Sequence, residues 1–301
     1  MTGRSPLITV AVATCGRPAA LERCLAALER GTRPPDALVV VDQASDEGTR
    51  RLVEGCQLPR PRYAPQPRLG LAASRNLALE LSTTSIIAFT DDDCVPEPGW
   101  IEGIIAGFAR DPTPAVVTGP VLSLGPETPG TFAVSERLRL TPSFHTGRCI
   151  PWHAGSGGNF AARRDVLVGH TGWDTRLGTG SPGLAGEDVE FLYRLMRAGV
   201  LVAYEPAAVV RHERQGWARR LATRYSYSFG IGAFCGLWLR RGDRFAVRMA
   251  LDYTEVHARG LARGLVRRRP NVVHEHLRGL WGIPAGILYG LTATESEDRR
   301  R

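Results

Sequence analysis

The most constraining feature of this 301-residue chain is a repeated alternation of short apolar runs, rich in β-branched residues, with segments of helical spacing. Residues 7–14 (LITVAVAT) predict a buried strand, and residues 19–30 predict an amphipathic helix. Apolar runs at 37–41 and 86–90 repeat the scheme. Such alternation predicts an α/β fold with a central, mostly parallel sheet flanked by helices.

The chain changes character after the alternating part. A connector interrupted by Pro and Gly is expected to contain a short helix at 131–140, and the end of the chain has continuous helical spacing. The sequence therefore predicts a first domain at 1–214, with halves at about 1–120 and 121–214, and a mainly helical extension at 215–301.

The charge of the chain is unevenly placed. All 38 basic residues are arginine, which excludes chemistry that needs a lysine Schiff base or a phosphate-loop lysine. Residues 1–205 carry 20 Arg against 22 acids and residues 206–301 carry 18 against 8, so the formal net charge of +8 divides into −2 and +10. A basic tail predicts contact with nucleic acid, anionic lipid or a phosphorylated acceptor. A solvated arginine-rich helix face is the alternative.

Cysteine usage and the apolar stretches bear on location. The six cysteines show no C-x-x-C spacing, which favours reduced thiols and a cytoplasmic protein. Residues 1–6 lack the features of a signal peptide. The uncharged stretches at 225–239 and 279–294 are shorter and more polar than the roughly 20 apolar residues of a spanning helix. They could lie on a membrane but are not expected to cross it.

Three adjacent carboxylates, Asp91, Asp92 and Asp93, follow the apolar run at 86–90 directly. Adjacent carboxylates repel one another unless a cation neutralises them, and oxygen ligands suit Mg²⁺ or Mn²⁺ held together with ligand phosphates. An Asp-rich turn that caps the next helix is the alternative. In open α/β sheets, ligands bind beyond the carboxyl ends of the strands, where Thr14 and the Asp cluster would meet.

Other candidates near the predicted strand ends have two interpretations each. Asp42 ends the second strand and suits a ribose or a base edge, or alternatively begins a turn. Arg75 and Asn76, on the helix after Gly70, could meet a diphosphate or lie on the surface.

Candidates in the second half of the chain are equally open. Glu187 and Asp188 begin an amphipathic helix, where they could stabilise the helix dipole or supply a general base. His212 is a structural residue or, with carboxylates opposite, a metal ligand. The segment GSGGN at 155–159 is too loose for a phosphate loop and favours a close-approach wall of a pocket.

Taken together, these segments resemble the family 2 glycosyltransferases, which have the GT-A fold. The resemblance covers about two thirds of the chain, roughly residues 6–212, and the segments occur in the family's order. The matching segments are ITVAVATCGRP, VVVDQASD, GLAASRN, IIAFTDDDCVPEPGW, GSGGNFAARRDVL, GWDTRLG, AGEDVEFLYRLMRAG and VVRH.

The resemblance implies a role for each matching residue. Asp42 would contact the nucleotide base, Asp91 would face the ribose, and Asp188 would deprotonate the acceptor hydroxyl. A divalent ion, Mg²⁺ or Mn²⁺, would be held by Asp93, Asp91 and His212. The implied donor-binding set is Thr14, Arg17, Asp42, Arg75, Asn76, Asp91 and Asp92. The implied sugar and acceptor set is Trp152, Asn159, Trp173, Asp174 and Glu187.

The resemblance therefore implies an inverting, metal-dependent glycosyltransferase with a nucleotide-binding half at about 1–120 and an acceptor half at about 121–214. The donor is a nucleotide-diphosphate sugar, with uridine diphosphate the commonest nucleotide of the family. The acceptor is a glycan or a lipid-linked hydroxyl, the basic tail suits the inner face of an anionic membrane, and no nucleic-acid partner is expected. A sugar-1-phosphate nucleotidylyltransferase and a non-catalytic basic binding protein are the alternatives.

Overall fold

The β-branched runs near the start of the chain form parallel strands, because side chains branched at Cβ fit a pleated surface that is buried on both faces. The computed structural model describes residues 6–67, 69–134 and 136–294. Residues 1–5, which the prediction of no signal peptide concerns, lie outside the described residues. The strands are β1 (Ile8–Thr14), β2 (Ala37–Asp42), β3 (Pro61–Pro65), β4 (Ile86–Asp91), β5 (Cys94–Pro96), β6 (Val116–Thr118), β7 (Val121–Ser123), β8 (Thr131–Phe132), β9 (Ser143–His145), β10 (Phe160–Arg163), β11 (Val202–Tyr204), β12 (Val210–His212) and β13 (Gln215–Gly216). The helices are α1 (Pro18–Glu29), α2 (Glu47–Gly55), α3 (Leu71–Leu81), α4 (Trp100–Phe108), α5 (Arg164–Gly169), α6 (Glu187–Arg197), α7 (Trp217–Arg240), α8 (Phe245–Val266) and α9 (Pro270–Thr292), with a 3₁₀ turn at Pro151–His153.

The described chain forms two compact units. The first contains the residues up to Leu69 together with Ala73–Trp173 and Phe191–Arg214. The second contains Gly70–Ala72, Asp174–Glu190 and the chain from Gln215 onward. The segment Asp174–Glu190 therefore groups with the C-terminal helices rather than with the sheet.

The first unit is built on an eight-stranded sheet in the order β3-β2-β1-β4-β10-β6-β11-β9. The pairs β3–β2, β2–β1, β1–β4 and β6–β11 are parallel, whereas β10 runs antiparallel to both β4 and β6. The register aligns Thr14 with Asp42 and Ala13 with Asp91. This sheet confirms the predicted α/β class and brings three polar strand ends to one edge.

A three-stranded sheet in the order β5-β12-β7 lies in the same unit. Strand β12 is antiparallel to β5, with His212 opposite Cys94. This pairing brings the end of β12 beside the aspartate turn between β4 and β5. The main core packs against both sheets and is formed mostly by Ile8, Val10, Leu21, Leu25, Leu38, Val40, Ile86, Trp100, Ile104, Phe108 and Val210.

The prediction of a short helix at 131–140 is wrong for residues 131–134 and 136–140, the part of that segment that the structure describes. Residues 131–132 form β8, and Arg137 makes an antiparallel bridge with Val121. The two backbone hydrogen bonds of that bridge hold Arg137 extended, and they replace the hydrogen bonds that a helical turn would need. Pro129 and Pro142 flank the segment, and proline is unfavourable inside a helix.

The second unit contains the helices that the sequence predicts for the end of the chain. Helices α7 and α9 pack with their backbones close together, because glycines leave room at the contact. A Cβ at Gly286 would overlap the Phe229 carbonyl oxygen, and one at Gly232 would overlap that of Ile283. Among the described residues, none of the helices combines the length and the apolar character that crossing a membrane requires.

Candidate functional site

The turn after β4 places three carboxylates in contact with separate partners. Asp92 is buried and accepts a hydrogen bond from Thr14 Oγ1 at 2.7 Å, and it pairs with the Arg17 guanidinium. Asp93 Oδ2 lies 2.6 Å from Arg17 Nη1, and Asp91 Oδ1 lies 3.2 Å from Arg75 Nη2. The two guanidinium groups offset the repulsion among the carboxylates.

The local sequence explains how Arg17 reaches this turn. Strand β1 ends at Thr14, and Pro18 begins α1, where its fixed φ suits the first helical position. Arg17 is the residue before that position, so its side chain starts at the edge where β4 also ends. Burial raises the pKa of Asp92 to about 6, while Arg17 and Thr14 favour the ionised form. Thr14 meets the Asp cluster as the strand ends led us to expect, whereas Arg17, which the resemblance implies for the pocket of Asp42, pairs with Asp92 and Asp93.

Metal-ligand atoms converge beside Asp93. One ligand atom from each of Asp93, Cys94 and His212 lies within 4.8 Å of the others, and His212 Nε2 is 3.4 Å from Asp93 Oδ1. The other ring nitrogen, Nδ1, lies 2.7 Å from the Glu213 carbonyl oxygen, which orients the imidazole.

The donor set fits a divalent ion of the magnesium or manganese type. A carboxylate oxygen suits both Mg²⁺ and Mn²⁺, an imidazole nitrogen favours the transition metal Mn²⁺ of the two, and a thiol suits softer metals. Cys94 is buried, and burial raises the pKa of its thiol well above the usual range. The Asp91 carboxylate does not belong to this set of three: its Oδ1 lies 3.2 Å from Arg75 Nη2.

Asp42 is buried and has several internal partners. Its carboxylate accepts hydrogen bonds from the backbone N–H groups of Ala44 and Asp46, at 2.9 and 2.7 Å, and from Tyr63 Oη at 3.0 Å. Burial and this bond to Asp42 raise the pKa of Tyr63 to about 12. The turn that the sequence offered as an alternative role for Asp42 is therefore present.

Asn76 and Trp173 hold one another in place. Asn76 Oδ1 accepts from the Trp173 N–H at 2.8 Å, and Asn76 Nδ2 donates to the Trp173 carbonyl at 2.9 Å. The Trp173 ring is buried between Phe89 and Phe191, with centroid distances of 4.7 and 4.5 Å. The expectation that Trp173 packs on a sugar is therefore corrected: its ring belongs to an aromatic core cluster.

Asn159 also differs from its predicted role. It is 1% exposed; its Oδ1 accepts from Trp100 Nε1 at 2.9 Å, and its Nδ2 donates to the carbonyls of Pro120 and Ala208 at 2.9 and 2.6 Å. An amide with every group engaged inside the core cannot also contact a sugar. Trp152, in the 3₁₀ turn, is likewise buried.

The remaining predicted residues lie in the second unit. Glu187 is buried and Asp188 half-buried in the first turn of α6, and Asp188 Oδ1 accepts from the Val189 N–H at 2.8 Å. Asp174 binds Arg176 through both carboxylate oxygens, at 2.9 and 2.6 Å. Burial opposes ionisation of Asp174, but Arg176 outweighs it and lowers the pKa of that carboxyl.

Sequence reasoning missed three residues of these sets. Tyr63 lies on β3, a strand with Pro at both ends and no apolar run to indicate it. Trp100 begins α4, and nothing local in the sequence indicates that its indole reaches Asn159. Cys94 stands beside the Asp cluster in the sequence, and only the pairing of β5 with β12 brings it to His212.

The fold and the site together define a class of protein: an α/β protein with an acidic centre, able to bind a metal ion, at the carboxyl ends of its parallel strands. The sequence model of Glycosyl transferase family 2 matches residues 9–169, just over half of the chain. The chain therefore belongs to glycosyltransferase family 2, and the predicted family is confirmed.

Individual relatives cover the chain in part. Pre-mycofactocin glycosyltransferase of Mycobacterium tuberculosis is 32% identical over 184 residues, which are 59% of this chain and 37% of that protein. Succinoglycan biosynthesis protein ExoM of Rhizobium meliloti is 31% identical over 214 residues, which are 68% of this chain and 66% of that protein. The chain thus spans 37% and 66% of the length of these relatives.

A solved structure gives the same fold. It is a mannosyltransferase from Pyrobaculum calidifontis in complex with GDP-Man and Mn²⁺, with a TM-score of 0.62 at 18% identity over 98% of this chain and 89% of that one. At this identity the likeness concerns the fold, and it agrees with the predicted GT-A class.

Proposed function

We propose that this protein transfers a sugar from a nucleotide-diphosphate sugar to an acceptor hydroxyl. The observation that carries the proposal is the convergence of the Asp91–Asp93 turn with Arg17, Arg75 and His212. Two guanidinium groups and an acidic centre suit a diphosphate held together with a divalent ion. Family membership favours glycosyl transfer over the two alternatives, nucleotidyl transfer and non-catalytic binding.

The residues that would hold Mg²⁺ or Mn²⁺ are Asp93 and His212, with Asp91 as the further predicted ligand. When bound, the ion would neutralise the negative charge that develops on the diphosphate leaving group. Arg17 and Arg75 supply fixed positive charge at the same edge of the sheet. Asp42 and Thr14 are buried and would support the predicted nucleotide side from behind, Asp42 by holding its turn and Thr14 by positioning Asp92.

Asp188 is the proposed general base. It accepts the proton of the acceptor hydroxyl while the acceptor oxygen forms a bond to the anomeric carbon of the donor sugar. The bond between that carbon and the diphosphate oxygen breaks at the same time, and the electron pair leaves with the nucleoside diphosphate. One displacement inverts the anomeric configuration and needs only one carboxylate as base.

The donor nucleotide is proposed to be uridine diphosphate, and the acceptor to be a glycan or lipid-linked hydroxyl at the cytoplasmic face of a membrane. The names of the two relatives given above refer to different products, so the relatives support the class of reaction and not a particular acceptor. The excess of arginine after residue 205 supports an acceptor that lies at an anionic surface.

A thermal-shift panel tests the donor site. Uridine, guanosine, thymidine and adenosine diphosphates are added with and without Mn²⁺ or Mg²⁺ to the wild type, to Asp93→Ala and to Asp165→Ala, whose side chain is exposed on α5. A ligand that binds the folded state raises its stability. We expect a metal-dependent shift with one nucleotide, lost in Asp93→Ala and kept in Asp165→Ala. No shift with any nucleotide in the folded wild type would contradict the proposal.

Asp188→Asn tests the base. Loss of a positioned general base is expected to lower kcat by about 10²–10⁴-fold, while the Kd for the nucleotide stays unchanged because the amide keeps the shape of the side chain. Transfer to water or to an acceptor mixture is followed by nucleoside diphosphate release, with Asp165→Asn as the control. Equal rates in Asp188→Asn and wild type would refute the assignment.

A further inference from the structure

The outer face of α9 is apolar and exposed to solvent. Leu277, Trp281, Pro284, Leu288 and Leu291 are all exposed, and Trp281 is 74% exposed. Their spacing of 4, 3, 4 and 3 residues puts them on one side of the helix, opposite the glycines that face α7. We refer to these five residues as the apolar stripe. A contiguous exposed apolar surface of this kind marks an interaction site in a soluble protein.

The apolar stripe continues into a groove at the turn between α8 and α9. The groove has a volume of about 570 Å³, and its apolar lining comes from Leu265, Val273 and Leu277, the first residue of the stripe. Val266, beside the groove, is 84% exposed. Apolar surface therefore extends from the turn along the length of α9.

Arginine side chains border this apolar surface. Arg268 and Arg269 line the groove, and Arg267 precedes them in the turn. Between residues 262 and 281 the single acid is Glu275, which is buried and paired with Arg220 and Arg224. The exposed surface of this stretch thus carries positive charge without a compensating carboxylate of its own.

Arg268 occupies a backbone conformation that favours glycine. Its φ is 50°, its N–H donates to the Leu265 carbonyl at 3.1 Å, and the Arg269 N–H donates to the Gly264 carbonyl at 2.9 Å. This is the position just after a helix where glycine is strongly enriched. The positive φ makes Arg268→Gly a variant that removes the charge without straining the turn.

Not all aromatic and arginine residues of the tail are available to bind a partner. Phe234 and Trp238 on α7 are buried, and Arg220 and Arg224 are engaged by Glu275. Exposed arginines also lie along α7 and α8, but those of the α8–α9 turn stand beside the groove and the start of the apolar stripe.

We propose that the α8–α9 turn and the apolar stripe form a surface that binds an anionic lipid bilayer. The stripe lies in the interface with its leucines toward the acyl chains, Trp281 sits at the headgroup level, and the turn arginines bind lipid phosphates. Helix α9 lies on the bilayer and does not cross it. The exposed leucines favour a bilayer over a nucleic acid, which offers phosphates but no continuous apolar surface. The inference does not rest on the proposed sugar transfer, because vesicle binding and transfer are measured separately.

Vesicle flotation tests the proposal with full-length protein. Vesicles of phosphatidylcholine alone and of phosphatidylcholine with phosphatidylglycerol are compared at low and high salt. The wild type is expected to float with the anionic vesicles at low salt and to dissociate as salt screens the arginines. A wild type that remains unbound to anionic vesicles at low salt, or that binds neutral vesicles equally well, overturns the proposal.

Three variants sharpen the test. Arg268→Gly is expected to weaken binding about fivefold, the loss of one arginine near an anionic surface, and to keep or raise the melting temperature because glycine fits the positive φ. Trp281→Asp is expected to abolish flotation. Leu140→Asp changes a residue of the first unit that is 82% exposed, and it is expected to bind as the wild type does. If Arg268→Gly binds anionic vesicles as tightly as the wild type does, the proposal that the turn arginines bind lipid phosphates is refuted.

Two other occupants of the surface would overturn the proposal. If a second copy of the chain covers the apolar stripe, light scattering gives a dimer mass that Trp281→Asp halves, and vesicles bind neither form. If the surface binds nucleic acid, a single-stranded RNA binds more tightly than the anionic vesicles do and displaces the protein from them.

Discussion

Asn159→Ala distinguishes a structural amide from a substrate contact. The substitution leaves the buried Trp100 indole N–H without its acceptor and removes one donor each from the Pro120 and Ala208 carbonyls. The Pro120 carbonyl still accepts a hydrogen bond from the Val210 N–H at 3.1 Å, so it contributes the least to the loss of stability. A buried donor or acceptor left unsatisfied costs about 1–3 kcal/mol, so the free energy of unfolding is expected to fall by about 3–5 kcal/mol.

The measurement is urea denaturation of wild type and variant, with the Kd for nucleotide and metal determined well below the unfolding midpoint. Asn271→Ala, an exposed amide in α9, is the matched control and is expected to change the unfolding free energy by no more than about 0.5 kcal/mol. Folded Asn159→Ala is expected to bind nucleotide like the wild type. Unchanged stability together with a large loss in donor or acceptor affinity would refute the structural role and restore the role that the family resemblance implies.

Two further predictions concern the C-terminal helices. Burial, with Arg224 and His276 nearby, lowers the pKa of His257 to about 4. The unfolded chain therefore binds more protons between pH 6.5 and pH 4, and stability is expected to fall across that range by on the order of 2–3 kcal/mol. Urea midpoints measured at several pH values check this, and a profile that stays as steep in His257→Asn would contradict it. Gly286→Ala drives a methyl group into the Phe229 carbonyl and is expected to lower the free energy of unfolding by about 1–3 kcal/mol. Gly169→Ala, in α5 with open space around it, is expected to leave that free energy unchanged or to raise it by up to about 1 kcal/mol in the same assay.

Much of the fold could be predicted because its signals are local. The run at Ile8–Thr14 and the helix after it can be read from residue types alone, and the order of such units determines a parallel sheet. The strand β10 could not be predicted in the same way. Phe160–Arg163 is only four residues long and runs antiparallel between β4 and β6, so its place depends on pairing between segments that are distant in the sequence.

The sequence predicts which motifs form the site, but it does not predict where each side chain of a motif points. The Asp91–Asp93 cluster and His212 come together because each stands at the end of a recognisable strand. A motif does not indicate which of its side chains turn inward. Asn159 and Trp173 both lie in matching segments, yet one satisfies buried polar groups and the other fills an aromatic cluster. A residue of a motif can therefore support the fold rather than contact a ligand.

The C-terminal helices matter to the predicted base for a reason that the sequence does not reveal. Within the second unit, a Cβ on Gly230 of α7 would overlap the backbone of Ala185, and Gly186 has a φ of 87° beside that contact. Tyr289 Oη of α9 donates to the Arg176 carbonyl at 3.2 Å, which ties down the other end of the same segment. The segment before Asp188 is therefore held by α7 next to Asp188 and by α9 at its other end. A region that composition marks as a separate basic tail is thus part of the support of the proposed catalytic residue, and its glycines serve that close approach as much as the packing of the helices on one another.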